Sequence, residues 1–406
     1  MVSLQFDGED SITESRITGN IRPRRTNRIE ELQNQITHLK DRVRIAVIYG
    51  GDKSAEGAVI NPTVNPRSWK SYKSVARDIA GALSKLGFHH VQVMPENMRI
   101  GERLREENIH MAWLNTGGVQ GYISMSHSAA MLEMIGVPYI GHDPLTAGIL
   151  DSKHIFKHML KALDIPTAPC MTWSLANGPL DPESNARFKA VFHDYAGPFV
   201  VKPVSGRASL HIHLVEEAST LSEIVSEVCL VTENHVLIET YLPGREFCVA
   251  VCGPVTSRKG ILEKRDTPFT FAAIERRFEK DEKIFVSMDI RPITVDRIRV
   301  LDPMHEVEIV NRLEKLAYSV FQELNLETLI RLDVRMNQDG EMFVLEANPK
   351  PDLKAPTKEK TSLVCASLAS YGMSYEDLIL SLFADRLDLY FSQRRGSVTS
   401  LAKLLE

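Results

Sequence analysis

Long apolar runs, a cysteine framework and a strong charge of one sign are all lacking in this chain of 406 residues. No apolar run reaches the length of a bilayer-spanning helix and no secretory h-region is found, so a cytoplasmic location without a membrane partner is expected. The net charge is only −5, which argues against a broad surface for nucleic acid. The 5 cysteines are scattered, with no disulfide or metal-knuckle spacing. Cys248 and Cys252 fall in an expected strand, and reduced, buried thiols are the expectation for the set. Nucleotide signatures are thin as well. Gly50-Gly51 followed by Ser54 is not G-x-G-x-x-G, and the Walker lysine is missing. No Ser/His/Asp or Cys/His set stands out, so a side-chain nucleophile is not indicated.

What is present is globular: 43% hydrophobic and 25% charged residues, enough for two or three domains. Residues 1–25 are polar and aperiodic, a solvated tail. Ile29, Leu32, Ile36 and Leu39 then follow helical spacing, with Thr26 or Asn27 as cap. This short helix packs on its own body or on a partner subunit. From Arg42 the pattern alternates. A buried strand ends in Gly50-Gly51, a helix covers 68–86, and strands follow at 91–94, 111–115 and 136–141. A small doubly wound domain to about residue 145 is implied, with Gly50–Glu56 and Asn115–Gly118 at the rim where ligands bind.

Asp151 is expected to cap a helix running to Leu163. The strand 199–203 carries Lys202 near its end, before the small-residue turn 205–209. Such a turn wraps phosphates with its N–H groups, or is an ordinary turn. In 236–247 a strand, a loop and a second strand form a bridge whose backbone can read an adenine edge while Glu246 accepts from a ribose. The plainer reading of Glu246 is a surface carboxylate. A helix at 306–324 precedes the most informative stretch, 329–351. There Ile330, Leu332 and Val334 alternate with Arg331, Asp333 and Arg335, and Asn337–Gly340 is turn chemistry before a second apolar run. The hairpin brings Asp333 near Glu346 and Asn348. These are hard oxygen donors suited to Mg²⁺, or charges on a solvated sheet face. A helix at 374–390 closes the core.

In this order the motifs resemble the ATP-grasp superfamily and, within it, the D-alanine–D-alanine ligase family. They are GGDKSAE (50–56), IGVPYIG (135–141), DSKHIFKHMLKALDIPTAP (151–169), PFVVKP (198–203), IETYLPGREF (238–247), RLDV (331–334), LEANPKP (345–351), and SLV with YGMSYEDLI (362–379). The resemblance covers residues 43 to about 387. It implies an α/β protein with a small doubly wound N-terminal domain followed by two α+β lobes enclosing ATP. The expected units are 1–41 (tail and helix), 42–145 (substrate domain), 146–238 (central lobe) and 239–406 (C-terminal lobe). ATP is the implied cofactor, with two Mg²⁺ ions that Mn²⁺ can replace, in a homodimer.

The resemblance also assigns roles. Lys153, Lys202 and Ser209 match phosphate contacts, and Glu239, Leu242 and Glu246 match the adenine and ribose contacts. Asp333, Glu346 and Asn348 match the metal ligands. Arg331 matches the arginine on the transferring phosphoryl group, Glu56 the carboxylate that meets the first amine, and Ser362 the contact to the second substrate's carboxylate. The implied reaction activates a carboxylate as an acyl phosphate, which an amine then attacks.

The acceptor half departs from the family. Ala208 stands for a serine, Phe278 for a flap tyrosine and Asp352 for a glycine, and NTGGVQGYISMSHS (115–128) replaces an acidic-glycine segment. Arg207, Arg276, Arg277 and Lys354 add cations, which point to a larger or more acidic first substrate. The expected function is therefore a ligase joining an amino acid to a carboxylate or carboxylate-like oxygen. The alternatives are a ligase of mycosporine-like amino acid biosynthesis that forms an imine, a true D-alanine–D-alanine ligase, and an inactive ATP-binding scaffold. A flap over 259–288 is expected to close over ATP.

Overall fold

The computed structural model describes residues 25–51, 71–121, 123–205, 211–280, 282–284, 294–357, 361–393 and 398–406. Glu56, Arg207, Ala208 and Ser209 lie outside the described residues.

Near the N-terminus, strands β1 (Arg44–Tyr49), β2 (His90–Pro95), β3 (Met111–Asn115) and β4 (Tyr139–Ile140) pair in parallel, in the order β2-β1-β3-β4. Central β1 is buried from Ile45 to Tyr49, which is why it reads as an unbroken apolar run. The sheet is accompanied by α1 (Arg25–Leu39), α2 (Lys73–Lys85), α3 (Ile100–Glu106) and α4 (His127–Ile135). As the spacing predicts, α2 buries Val75, Ile79, Ala82 and Leu83 on one face.

Two helices, α5 (Pro144–Asp151) and α6 (Lys153–Ala162), lead into the central lobe. Asp151 is not the cap of α6; it is the last residue of α5. The cap lies earlier: the Asp143 carboxylate accepts from the N–H groups of Leu145 and Thr146, with Pro144 in the first turn. The lobe's sheet is antiparallel, β5-β8-β6-β7, from β5 (Cys170–Trp173), β6 (Phe199–Pro203), β7 (His213–Val215) and β8 (Val236–Thr240). Its core gathers Phe188 of α7 (Ala186–Phe192), Phe199, Ile238, and Val225 of α8 (Leu221–Thr232).

The C-terminal lobe starts with β9 (Glu246–Cys252) and the hairpin β10 (Val255–Arg258)–β11 (Ile261–Lys264). Short strands β12 (Phe269–Thr270), β13 (Ile274–Arg276) and β14 (Ile298–Val300) follow, then α9 (Val307–Glu323), β15 (Ile330–Met336), β16 (Met342–Asn348) and α10 (Tyr375–Gln393). The antiparallel order is β14-β13-β9-β15-β16, with β12 also on β9. The expected hairpin is therefore β15–β16, turning at Gly340 with φ +77°. Its apolar face, Ile330, Leu332 and Val334, packs with Val310, Leu313, Ala317 and Val320 of α9. Much of the segment read as a flap is paired strand: β11, β12 and β13 all lie within 261–276, whereas 285–293 fall outside the described residues.

Helix α10 ties the lobes together. Asp377, Ser381 and Asp385, one turn apart, accept from the N–H groups of Gly260, Ser257 and Val255 along β10. On its apolar face Phe383 and Leu387 share a core with α2 and with α1. The face of α1 is thus covered by this chain's own body: Leu32, Ile36 and Leu39 are fully buried, and α1 contacts α10 and β11. All five cysteines are buried and reduced. Leu32→Ala should cost about 2–5 kcal/mol of stability in urea unfolding, the range for a large-to-small change in a closed core. A change below about 1 kcal/mol would mean that α1 is only loosely attached.

Candidate active site

The site is built on the polar face of β15. Alternation turns Arg331, Asp333 and Arg335 away from the α9 core. Residues directly opposite in antiparallel strands share a face, and the register decides what those three meet. On β16, Glu346 pairs with Asp333 and Asn348 with Arg331; on β9, Glu246 pairs with Arg335; on β13, Arg276 pairs with Glu246. A bulge between Asp333 and Val334 marks the metal-ligand candidates. The three sequence candidates Asp333, Glu346 and Asn348 therefore do converge.

Asp333 is buried. The Arg331 guanidinium donates to both its carboxylate oxygens, Nε–Oδ1 at 2.8 Å and Nη2–Oδ2 at 3.0 Å. Arg276 Nη2 reaches Oδ2 at 3.4 Å, and the Cys248 thiol lies 3.3 Å from Oδ1. Burial opposes ionisation of Asp333, but Arg331 and Arg276 outweigh it and hold the carboxyl below its ordinary value. Burial likewise pushes the Cys248 thiol up, so it is a neutral donor here and not a nucleophile.

Across from this face stands a cluster of lysines and carboxylates from the central lobe. Lys153, at the start of α6, has Nζ 3.4 Å from Glu346 Oε2. One turn on, Lys157 is fully buried. It donates to Thr167 Oγ1 at 2.8 Å and lies 3.0 Å from Glu239 Oε2. Lys202 of β6 is ion-paired with the other oxygen of Glu239. Glu239 lies near the end of β8, opposite Val200 of antiparallel β6, and so shares a face with Lys202 two residues on. Burial disfavours its charge, yet Lys157 and Lys202 win and hold its carboxyl at about 2. For Lys202, burial is again the largest influence, but Glu239 and Glu346 raise it.

The sign of the linkage follows. Folded near 2 against an ordinary 4.5, Glu239 contributes about 3 kcal/mol that is fully present above pH 4.5 and is lost as pH falls through 2. The stability gap between the parent and Glu239→Gln should therefore be widest near neutrality and shrink on acidification in urea titrations. A gap independent of pH would sink this assignment.

The linker 241–245 crosses from β8 to β9. Leu242 is buried in it. Gly244 donates its N–H to Met336 O at 2.9 Å, and a Cβ there would meet Met336 O at 2.7 Å, so only glycine lets the linker lie on the end of β15. Glu246 is held from two sides, by Arg276 at 2.8 Å and Arg335 at 3.3 Å. Phe278 lies against the Arg335 guanidinium, 4.7 Å from its ring centroid. That puts it at the linker end, beside Glu246, and not at the acceptor end where the flap tyrosine was expected.

Toward the first domain, the loop after β16 meets the strand rim. Lys350 Nζ lies over the Tyr72 ring, 3.3 Å from its centroid, and the Asn115 side chain donates to Tyr72 O at 3.1 Å. Two of the extra cations are already neutralised, Arg276 as above and Lys354 by Asp78 at 2.7 Å; Arg277 is exposed. They therefore do not supply the free positive charge expected for an acidic substrate. Ser362 is buried, and its Oγ accepts from Cys365 N at 3.0 Å, at the start of the turn 365–371.

The donor set suits a hard cation such as Mg²⁺, with phosphate oxygens and water completing its shell. Among the described residues the buried Asn348 amide nitrogen has no hydrogen-bond partner, which fits an amide whose neighbour arrives with a ligand. Among the described residues, no cluster of three or more Asp, Glu, His or Cys side chains is arranged to hold a metal. Two contributors escape the sequence reading: Lys157 is signalled only by its i, i+4 spacing from Lys153, and Arg335 by the alternation of β15. Arg276, read from the sequence as a cation for the substrate, instead holds Glu246 and Asp333.

Residues 159–384 match the family described as D-ala D-ala ligase C-terminus. An uncharacterized protein, y4sG of Sinorhizobium fredii, is 27% identical over 263 residues, 64% of this chain and 70% of that protein. A D-alanine–D-alanine ligase of Synechococcus sp. (strain JA-2-3B'a(2-13)) is 23% identical over 348 residues, 84% of this chain and 92% of the relative. The solved D-alanine–D-alanine ligase of Bacillus anthracis complexed with ATP superposes with a TM-score of 0.60 at 22% identity, covering 86% of this chain and 99% of that one. With over half its length matched, the chain belongs to the D-alanine–D-alanine ligase family of ATP-grasp ligases, which form C–N bonds.

Proposed function

We propose that the protein binds ATP between its central and C-terminal lobes and joins an amino acid to a carboxylate or carboxylate-like oxygen, releasing ADP and phosphate. The observation that carries the reading is the convergence of Lys153 and Lys202 with Glu346, Asp333 and Arg331 from two different lobes. Lys153, Lys202 and Ser209 hold the phosphates. Linker residue Leu242, with Glu239 and Glu246, faces the adenine and ribose. Asp333, Glu346 and Asn348 would hold Mg²⁺, which when bound disperses the charge of the transferring phosphoryl group.

Arg331 then stands beside the reacting centre, where it stabilises the charge on the phosphoryl oxygens. An acceptor oxygen attacks the γ-phosphorus and ADP leaves. The amine attacks the activated carbon, loses a proton and expels phosphate. Glu56 and Ser362 orient the amine and the carboxylate of the amino acid. The acceptor lies at the first-domain rim beside Tyr72, Asn115 and Lys350.

Purified protein with MgATP, a panel of amino acids and a panel of acceptors tests this through ADP release. ADP formation that needs one amine and one acceptor together supports the ligase. D-alanine acting alone as both substrates would make it a cell-wall dipeptide ligase, and a cyclohexenone acceptor would favour imine formation. Bound ATP with no stimulating pair would point to the scaffold reading.

A further inference from the structure

Arg335 has no part in the chemistry described above, yet its side chain is among the most engaged in the molecule. It is 6% exposed and sits on β15 two residues beyond Asp333, at the end of the face nearest the linker. Its guanidinium lies over two rings, 4.9 Å from the centroid of Tyr241 and 4.7 Å from that of Phe278. Its N–H groups fork to three chain segments. Nη1 donates to Glu246 Oε2 at 3.3 Å. Nη2 donates to Lys283 O at 2.7 Å and to the Tyr241 hydroxyl at 3.2 Å. Nε points to Gly244 O at 3.4 Å. The Tyr241 hydroxyl itself donates to Lys283 O at 3.0 Å.

We propose that Arg335 is the positioning residue of the nucleoside end of the site: one planar cation locks linker 241–245, Phe278, Lys283 and Glu246 together, so that the base and ribose meet a preset wall. The inference rests on the ATP reading above and adds a specificity determinant to it. The physical case is geometric. A linker that reads a base edge through its backbone discriminates only if that backbone is held. Here Gly244 is held from below by Met336 and from the side by Arg335. A ribose acceptor must keep its rotamer, and Glu246 is fixed by Arg276 on one oxygen and Arg335 on the other. Flat, forked donation over aromatic rings is a job for guanidinium, not ammonium. Lysine in its place keeps the charge and loses both the flat ring contact and the fork.

The test compares Mg-ADP and Mg-GDP affinities by calorimetry on the full chain. It uses the parent, Arg335→Lys, Arg335→Met and Phe278→Leu, at a temperature where melting curves show all of them folded. The parent is expected to prefer ADP. Both Arg335 variants should bind ADP at least tenfold more weakly and show a narrowed ADP/GDP ratio, with most of the kinetic loss in KM for ATP and less in kcat. Phe278→Leu, which removes one of the two rings at small risk to the fold, should weaken ADP about threefold or more. Arg335 variants that melt lower but keep the parent's ADP affinity and ADP/GDP ratio would show a merely structural side chain and overturn the proposal. Were the Arg335 variants not to fold, unchanged ADP binding in Phe278→Leu would overturn it. A parent that binds neither nucleotide would overturn the ATP reading and this inference with it, whereas ADP binding by the parent with unaltered variants overturns the inference alone.

Discussion

Arg331→Met is expected to lower kcat by about a thousandfold while changing ATP affinity less than tenfold. Preorganised donors aimed at developing charge carry losses of about 10²–10³ each in other enzymes. Arg331 fits that role in the proposed function: it is half-buried, forked onto Asp333 and directly opposite Asn348. On the proposed function its cation is needed where charge builds up, and ground-state binding rests mostly on Lys153, Lys202 and the linker. Methionine is the informative substitution. A carboxylate at this position would confront Asp333 across hydrogen-bond distance and disrupt the ground state too. Single-turnover rates with equilibrium ATP binding separate the two effects. Equal losses in both would place Arg331 in nucleotide binding instead.

Glu346→Gln should reduce turnover by about a hundredfold or more and raise the Mg²⁺ concentration needed for half-maximal rate. The substitution keeps the size of the side chain and one oxygen, but removes the charge opposite Asp333 and the partner of Lys153. With its carboxylate gone, the site offers one formal negative charge in place of two to a dication. The fold should survive, because Glu346 is only half-buried at the end of β16. Far-ultraviolet circular dichroism and melting control for that. A variant with full activity and unchanged Mg²⁺ dependence would remove Glu346 from the metal set. Loss of turnover in a folded protein also speaks against the scaffold alternative.

How much of this was legible in the sequence follows from where the physics is local. The β15–β16 hairpin was readable because its determinants are all within 19 residues: period-two alternation, turn residues and a second apolar run. From that, the neighbourhood of Asp333, Glu346 and Asn348 followed. The cap at Asp151 failed for a local reason too. Asp143-Pro144 is a strong start signal for α5, which runs on through Asp151, so the break falls one residue later, at Ser152, before α6 starts at Lys153. Lys157 was hidden because its partner Glu239 is 82 residues away, joined only when α6 docks on the central sheet. Arg276 and Lys354 looked like spare cations because charge in a sequence carries no sign of what will neutralise it. Their partners, Glu246, Asp333 and Asp78, come from other strands and another domain. The short strands of 261–276 lack a run long enough to show period two, so they read as a polar flap.

The central claim is that ATP activates an acceptor oxygen by phosphorylation before the amine attacks, and oxygen tracing tests it most directly. An acceptor found by the ADP-release panel is labelled with ¹⁸O at its reacting carboxylate or carbonyl, and the products are read by mass spectrometry. One ¹⁸O per turnover should appear in inorganic phosphate, with ADP and one condensed product formed in equal amounts. Phosphate free of label, or AMP and pyrophosphate in place of ADP, would contradict the account.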